Sequence, residues 1–285
     1  MTTSQVPVDL HQHIQQEPDV SKLSFNKVVD LIRETYGERC IVGVVNFRDV
    51  NTRGLRDDRR YEDFTNLKGY KRQNYGDHIN VGQVRIIKVQ EIPAIHEGME
   101  VHIICVGLKE EEHIEPRRNL LEVLSEIKRR NLISIIDHPF ARAGIGRYLA
   151  KDKTLEKKVL SSVTGIELFN GLTERSFPFV GDGNSNKRTQ EYFDSIKEEY
   201  PNLGAIVGTD GQSLKALRYA SYSLLDIQTD EENFDLQLVQ RLQKAIRKHR
   251  NIERDKRVPQ SRYEMLKHIY GIISEEGIKH TLSRL

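Results

Sequence analysis

The sequence predicts an α/β barrel of the TIM type followed by a helical extension. Three observations predict it. About seven short apolar runs read as strands, helical patterns separate several of them, and His, Asp and Glu recur where those runs end. In a barrel of parallel strands, ligands collect at the carboxyl ends of the strands.

The elements follow in order. VPVDL (6–10) reads as a short strand. Ser24 to Tyr36 is a helix that Ser24 can cap and Gly37 stops, with Phe25, Val28, Val29 and Ile32 on one face. CIVGVVNF (40–47) is a buried strand, and VRIIKVQEI (84–92) and MEVHIICVGL (99–108) are two more, with a turn around Glu97-Gly98. A helix is expected from about Pro116 to Arg130, followed by the strand LISIID (132–137). A short helical stretch at 153–160 leads to the strand TGIELFN (164–170), and a helix at 188–200 leads to the strand LGAIVGTD (203–210). There is no internal repeat.

Two segments break the alternation. Residues 51–77 are polar, with seven basic and five acidic residues among four aromatic ones. They read as an insertion over the barrel mouth, either stacking on a nucleic-acid base or forming a solvated loop of paired charges. The C-terminus reads as two helices, 234–250 and 260–282, split near Pro259. Ten Arg/Lys stand against three Asp/Glu between Arg241 and Lys267. That stretch is a nucleic-acid candidate or the wet face of a packed helix. The expected division is a barrel over 1–230 and a basic helical extension over 231–285, the latter open to a protein partner or a second copy.

Composition sets limits. Charged residues are 30% of the chain, net charge is +2, and no apolar run approaches the ~20 residues of a membrane helix. With no secretion signal and only two cysteines, each inside an apolar run, a cytoplasmic location with buried thiols is expected.

Chemistry concentrates at the strand ends. His11-Gln12-His13 closes the first run; on an extended segment those two imidazoles point to one side. Glu91 closes a middle strand, His102 lies in the next, Asp137-His138-Pro139 closes another, and Gly208-Thr209-Asp210 closes the last. Imidazole with carboxylate suits Zn, Mn or Fe. A lone strand-end His is more often a hydrogen-bonded residue than a ligand; the combination points to a metal. His78, His96, His113, His249, His268 and His280 lie in polar segments and are expected to be solvated.

The order of these pieces resembles the PHP (polymerase and histidinol phosphatase) family of metal-dependent phosphoesterases. Also similar are VHIICVGL and GIELFNG (165–171), so that the resemblance covers roughly residues 6–226. It implies a distorted seven-stranded (β/α)7 barrel and two divalent metal ions (Zn, Mn or Fe). One ion would be held by His11, His13, Glu91 and Asp210, the other by Glu91, His102 and His138, with Glu91 bridging. The family's third site lacks two ligands here, because Arg48 and Gln212 stand where histidines are usual. Arg48 is then the candidate for orienting phosphate, the alternative being that it pairs with Asp49 or another carboxylate and only fills space. The implied activity is hydrolysis of a phosphomonoester or phosphodiester, in a phosphorylated small molecule or a nucleic acid. The competing expectation is a metal-binding, non-catalytic module.

Overall fold

A computed structural model describes residues 3–14, 25–51, 54–65, 73–174, 176–177, 181–182, 184–212, 214–229, 234–261 and 266. Its strands and helices are β1 (Thr3–Gln12), α1 (Phe25–Tyr36), β2 (Cys40–Asn51), β3 (Gly54–Asp58), α2 (Arg60–Thr65), β4 (Gln73–Asn74), β5 (His78–Val81), β6 (Val84–His96), β7 (Met99–Val106), α3 (Leu120–Arg129), β8 (Ile133–Ile136), α4 (Gly146–Leu149), α5 (Lys153–Leu160), β9 (Gly165–Asn170), β10 (Ser176–Phe177), β11 (Gly181–Asp182), α6 (Ser185–Ile196), β12 (Gly204–Gly208), β13 (Ser223–Gln228) and α7 (Leu238–Lys248).

One sheet of 11 strands runs in the order β12-β9-β8-β7-β6-β2-β1-β13 and curls until β12 meets β1. The result is an α/β fold around a nearly closed barrel. It is more irregular than seven parallel strands. The pairs β1–β2, β2–β6, β8–β9 and β9–β12 are parallel, but β7 runs antiparallel to both neighbours. The cause is the two-residue loop Glu97-Gly98, with φ of 49° and 77°. Successive left-handed residues make the tight turn that returns a strand beside its predecessor. β13 adds a further antiparallel strand beside β1.

Alternation along each strand separates two cores. Val6, Val8, Ile87, Val89, Ile104, Val106, Ile133, Ile135 and Ile206 point inward and fill the barrel. Ile103, Cys105, Ile136, Ile166 and Leu168 point outward beneath α3, α5 and α6. α7 closes the floor. Its Leu238, Val239, Leu242, Ala245 and Ile246 belong to the interior core, while Lys244, Arg247 and Lys248 face solvent. The basic face is thus the wet side of a packed helix here. The second C-terminal helix expected at 260–282 lies almost entirely outside the described residues.

The 51–77 insertion is partly regular. β3 folds back on β2, and α2 buries Tyr61 in the core beside α1. Arg56 and Arg60 both bond Asp58, and Arg59 bonds Glu111 at 2.8 Å. Paired charge fits the loop reading better than a free basic face. His78, expected to be solvated, is wholly buried, stacked on Tyr75 and bonded to Asp77. The strand β5 that carries it pairs with β6 and so lies inside the sheet.

The floor depends on missing side chains. A Cβ on Gly204, the first residue of β12, would sit 1.9 Å from the Ile246 carbonyl oxygen. Backbone cannot yield as a flexible side chain can. Gly204→Ala should therefore lower stability by at least ~1–3 kcal/mol, the usual scale of overpacking. Urea unfolding measures this; an unchanged midpoint would contradict the docking of α7.

Candidate metal centre

The barrel mouth lies at the ends of β1, β8, β9 and β12 and at the first half of β7; it crosses β6 part-way, because that strand does not close at Glu91 but runs on to His96 to pair with β7. The inward positions that carry apolar side chains lower down carry polar ones here. On β6 the series Ile87, Val89 leads to Glu91; on β8, Ile133 and Ile135 lead to Asp137. On β7 the same face runs down from His102 to Ile104 and Val106, so the reversed strand still delivers its histidine to the mouth.

β1 needs a correction of phase. Val6, Val8 and Leu10 face inward, which would turn His11 and His13 out. Between Asp9 and Gln12, however, three steps on β1 match two on β2. This β-bulge adds one residue, shifts the phase and re-aims both histidines inward. β9 carries a similar irregularity opposite Ile206 and Val207. Leu168 and Phe169 both join the outer core there, while Glu167 and Asn170 reach the mouth.

All six residues expected as ligands converge. His11 Nε2 and His13 Nε2 are 3.1 Å apart, and each is 3.6 Å from Asp210 Oδ1. Glu91 stands between two groups, with Oε2 3.1 Å from His13 Nε2 and Oε1 2.5 Å from His102 Nδ1. His138 joins the second group beside Asp137. His138 and Asp210 hold φ of 21° and 51°, a conformation that non-glycine residues keep only where the surroundings impose it.

Outer partners orient these rings. His11 Nδ1 meets Glu167 Oε1 at 3.0 Å, which leaves Nε2 facing His13 and Asp210. His102 Nε2 meets Glu100 Oε1 at 3.1 Å, and Arg117 links Glu100 to Asp49. A carboxylate on the far nitrogen is the usual way to fix the tautomer of a metal-binding histidine. Gln212 donates to Asp210 Oδ1 at 2.9 Å.

Arg48 is not brought to this cluster. Phe47, its neighbour on β2, pairs with Glu91 and faces the His102 ring. Alternation then turns Arg48 to the outer side with Asn46, Lys88 and Gln90. Its guanidinium lies 3.8 Å from both Asp57 and Glu115. The phosphate-orienting role expected for it has no geometric support. Two residues to which the sequence pattern assigns no role also reach the centre, Asp137 and Glu167, both wholly buried. Their signal was legible: each is a carboxylate at an inward position of an apolar strand.

The electrostatics fit a cation. Burial works against charge on His11, but Asp137, Asp210 and Glu167 together hold its imidazole well above the usual range. Burial also opposes ionisation of Glu91, but His102 and His13 hold it well below the usual carboxylate range. Burial likewise opposes Asp137, which His138 and His11 nevertheless hold at about 2. Burial, with Asp137 adding repulsion, pushes Glu167 up to about 7. Both Asp137 oxygens and His138 Nδ1 are buried without a hydrogen bond among the described residues. Such orphaned donors and acceptors around one centre fit a divalent metal.

No family model matches the chain, and no curated protein matches it. Solved structures do. The lesion-specific endonuclease PfuEndoQ from Pyrococcus furiosus aligns with a TM-score of 0.51 at 15% identity, covering 85% of this chain and 56% of the endonuclease. Endonuclease Q in complex with a 27-mer duplex bearing an abasic lesion aligns at 0.50 and 14% identity, covering 85% of this chain and 56% of that one. PsfC from Pseudomonas syringae PB-5123 aligns at 0.52 and 12% identity, covering 96% and 99% of the two chains. The chain thus spans little more than half of the endonuclease. These likenesses support a PHP-like fold. Among the described residues, no helix is long and apolar enough to cross a membrane.

A metal ligates neutral imidazole and ionised carboxylate, so it must displace protons. His11 and His102 hold theirs at neutrality, because neighbouring carboxylates overcome burial and raise both values well above the usual range. Binding of Zn²⁺ should therefore release protons at pH 7 and weaken as pH falls. Calorimetry in two buffers of different ionisation enthalpy measures the release. Identical heats in both buffers would contradict this account.

Proposed function

We propose that the chain is a metal-dependent phosphoesterase that hydrolyses phosphomonoesters or phosphodiesters of nucleotides or nucleic acid. The observation that carries this reading is the position of Glu91, shared between a group with His11 and His13 and a group with His102 and His138. A carboxylate so placed suits a pair of divalent ions, Zn, Mn or Fe by the donor set. His11, His13, Glu91 and Asp210 would hold one, and Glu91, His102 and His138 the other. When bound, such a pair polarises a phosphoryl oxygen and lowers the pKa of bound water toward neutrality.

The chain's own side chains do the rest. Glu167 and Glu100 keep the imidazoles of His11 and His102 in fixed tautomers. Asn170 donates to both Glu167 and Asp210, tying the two carboxylates together at 2.9 and 3.2 Å. Residues 1–230 would carry the chemistry, and 231–285 would support it from the floor through α7. The likeness to an endonuclease solved on abasic duplex DNA supports nucleic acid as a substrate class.

The test is a hydrolysis panel with added Zn²⁺ or Mn²⁺: an aryl phosphate, a bis-aryl phosphate, nucleotides, and intact and abasic oligonucleotides. Hydrolysis of at least one should appear, vanish with chelator, and fall by at least ~10²-fold in Glu91→Gln, the scale seen when a group that stabilises transition-state charge is lost. Metal binding without hydrolysis across the panel would instead indicate a non-catalytic module.

A further inference from the structure

Asp137 belongs to neither ligand set above, yet it is as fully enclosed in the centre as His11 and Glu167. The side chain is wholly enclosed, and neither oxygen has a hydrogen bond among the described residues. Three imidazoles surround it: His138 Nε2 at 3.1 Å, His11 Nδ1 at 3.4 Å and His102 Nδ1 at 4.0 Å. They stand at ion-pair distance without hydrogen-bond alignment. A buried carboxylate keeps its charge only beside a compensating cation.

An orienting role toward His11 or His102 is already filled. The far nitrogen of His11 already meets Glu167, and that of His102 already meets Glu100. Asp137 instead forms one group with Glu91, His102 and His138, whose candidate ligand atoms all lie within 4.8 Å of one another. Asp137 and His138 directly follow β8, where continued strand alternation would point them to opposite faces. The left-handed φ of 21° at His138 breaks that rule and brings both side chains to one centre.

We propose that Asp137 is a fourth ligand of the ion held by Glu91, His102 and His138. That ion then sits among two imidazoles and two carboxylates. The added hard oxygen donor favours Mn²⁺ or Fe²⁺ relative to a set of imidazoles alone. The proposal rests on the metal-centre reading above.

The test is calorimetric titration of Zn²⁺ into metal-free native protein, Asp137→Asn, Asp137→Ala and a control, Glu156→Gln. Glu156 is another wholly buried carboxylate, bonded to Tyr192 at 2.8 Å on the outer side of the sheet. Circular dichroism checks folding. Native protein and the control should bind two equivalents, and each Asp137 variant one. Two equivalents in a folded Asp137 variant overturn the proposal. That includes a variant weakened only ~10–100-fold, which is the signature of an outer partner. A native protein that binds no Zn²⁺ overturns the metal-centre reading itself, and the proposal with it. Should both variants unfold, a structure of the Zn²⁺-loaded native protein decides. An Asp137 oxygen about 2.0–2.2 Å from an ion supports the proposal, and a separation beyond about 3 Å overturns it.

Discussion

Four carboxylates, Glu91, Asp137, Glu167 and Asp210, are buried together at one end of the barrel. Everything else about the mouth follows from the cost of placing like charges in a medium that screens them poorly. Their ion-pair partners are imidazoles, which carry charge only by holding protons. The side chains alone answer the constraint by compromise: His11 holds its proton more tightly than usual, and Glu167 titrates near 7. Two divalent cations would answer it fully, since four positive charges match four carboxylates. A structural ion-pair network would use Arg or Lys, as Arg117 does for Asp49 and Glu100 just outside the cluster.

The barrel delivers these groups by alternation interrupted at chosen points. Inward positions are apolar from the floor upward and turn polar only in the last layer. The β1 bulge changes phase between Leu10 and His11, and the β9 irregularity sets Glu167 and Asn170 on one side. Closure between β1 and β12 rests on few backbone bonds, chiefly Asp210 N–H to the His11 carbonyl at 2.8 Å. Asp9 supplies the remainder. Its buried carboxylate accepts from Thr209, Gln12 and Tyr36, which ties β1, β12 and α1 together directly beneath the histidines. Gly208 keeps that seam narrow, since a Cβ there would lie 3.0 Å from His11 Cβ on β1 and 2.0 Å from Glu167 Oε1 on β9.

Much of this was legible in the sequence. Long apolar strands and the helices at 24–36 and 116–130 announce themselves by period, and the six histidines and carboxylates stood out at strand ends. What could not be read was phase and direction. The Glu97-Gly98 turn was visible, but the consequence, a reversed β7, depends on which neighbour the strand then joins. Arg48 was misplaced by one residue: in a strand, one step separates the mouth from the outer face, and Phe47 took the inward position. Asp137 and Glu167 stand inside larger motifs, Asp137-His138-Pro139 and GIELFNG, whose pattern assigns them no role of their own. The burial of Lys88, whose ammonium bonds Glu62 and the carbonyls of Lys109 and Glu112, likewise depends on loops that no local pattern predicts.

Divalent cations should match the charge of the buried carboxylates. The most direct measurement is the metal content of the native chain, purified without chelator, by inductively coupled plasma mass spectrometry. Stripping and refilling with Zn²⁺ or Mn²⁺ should follow. About two equivalents per chain should be found, lost on stripping and regained on refilling, in line with two ligand groups joined at Glu91. Less than one equivalent, with none taken up on refilling, would contradict that match.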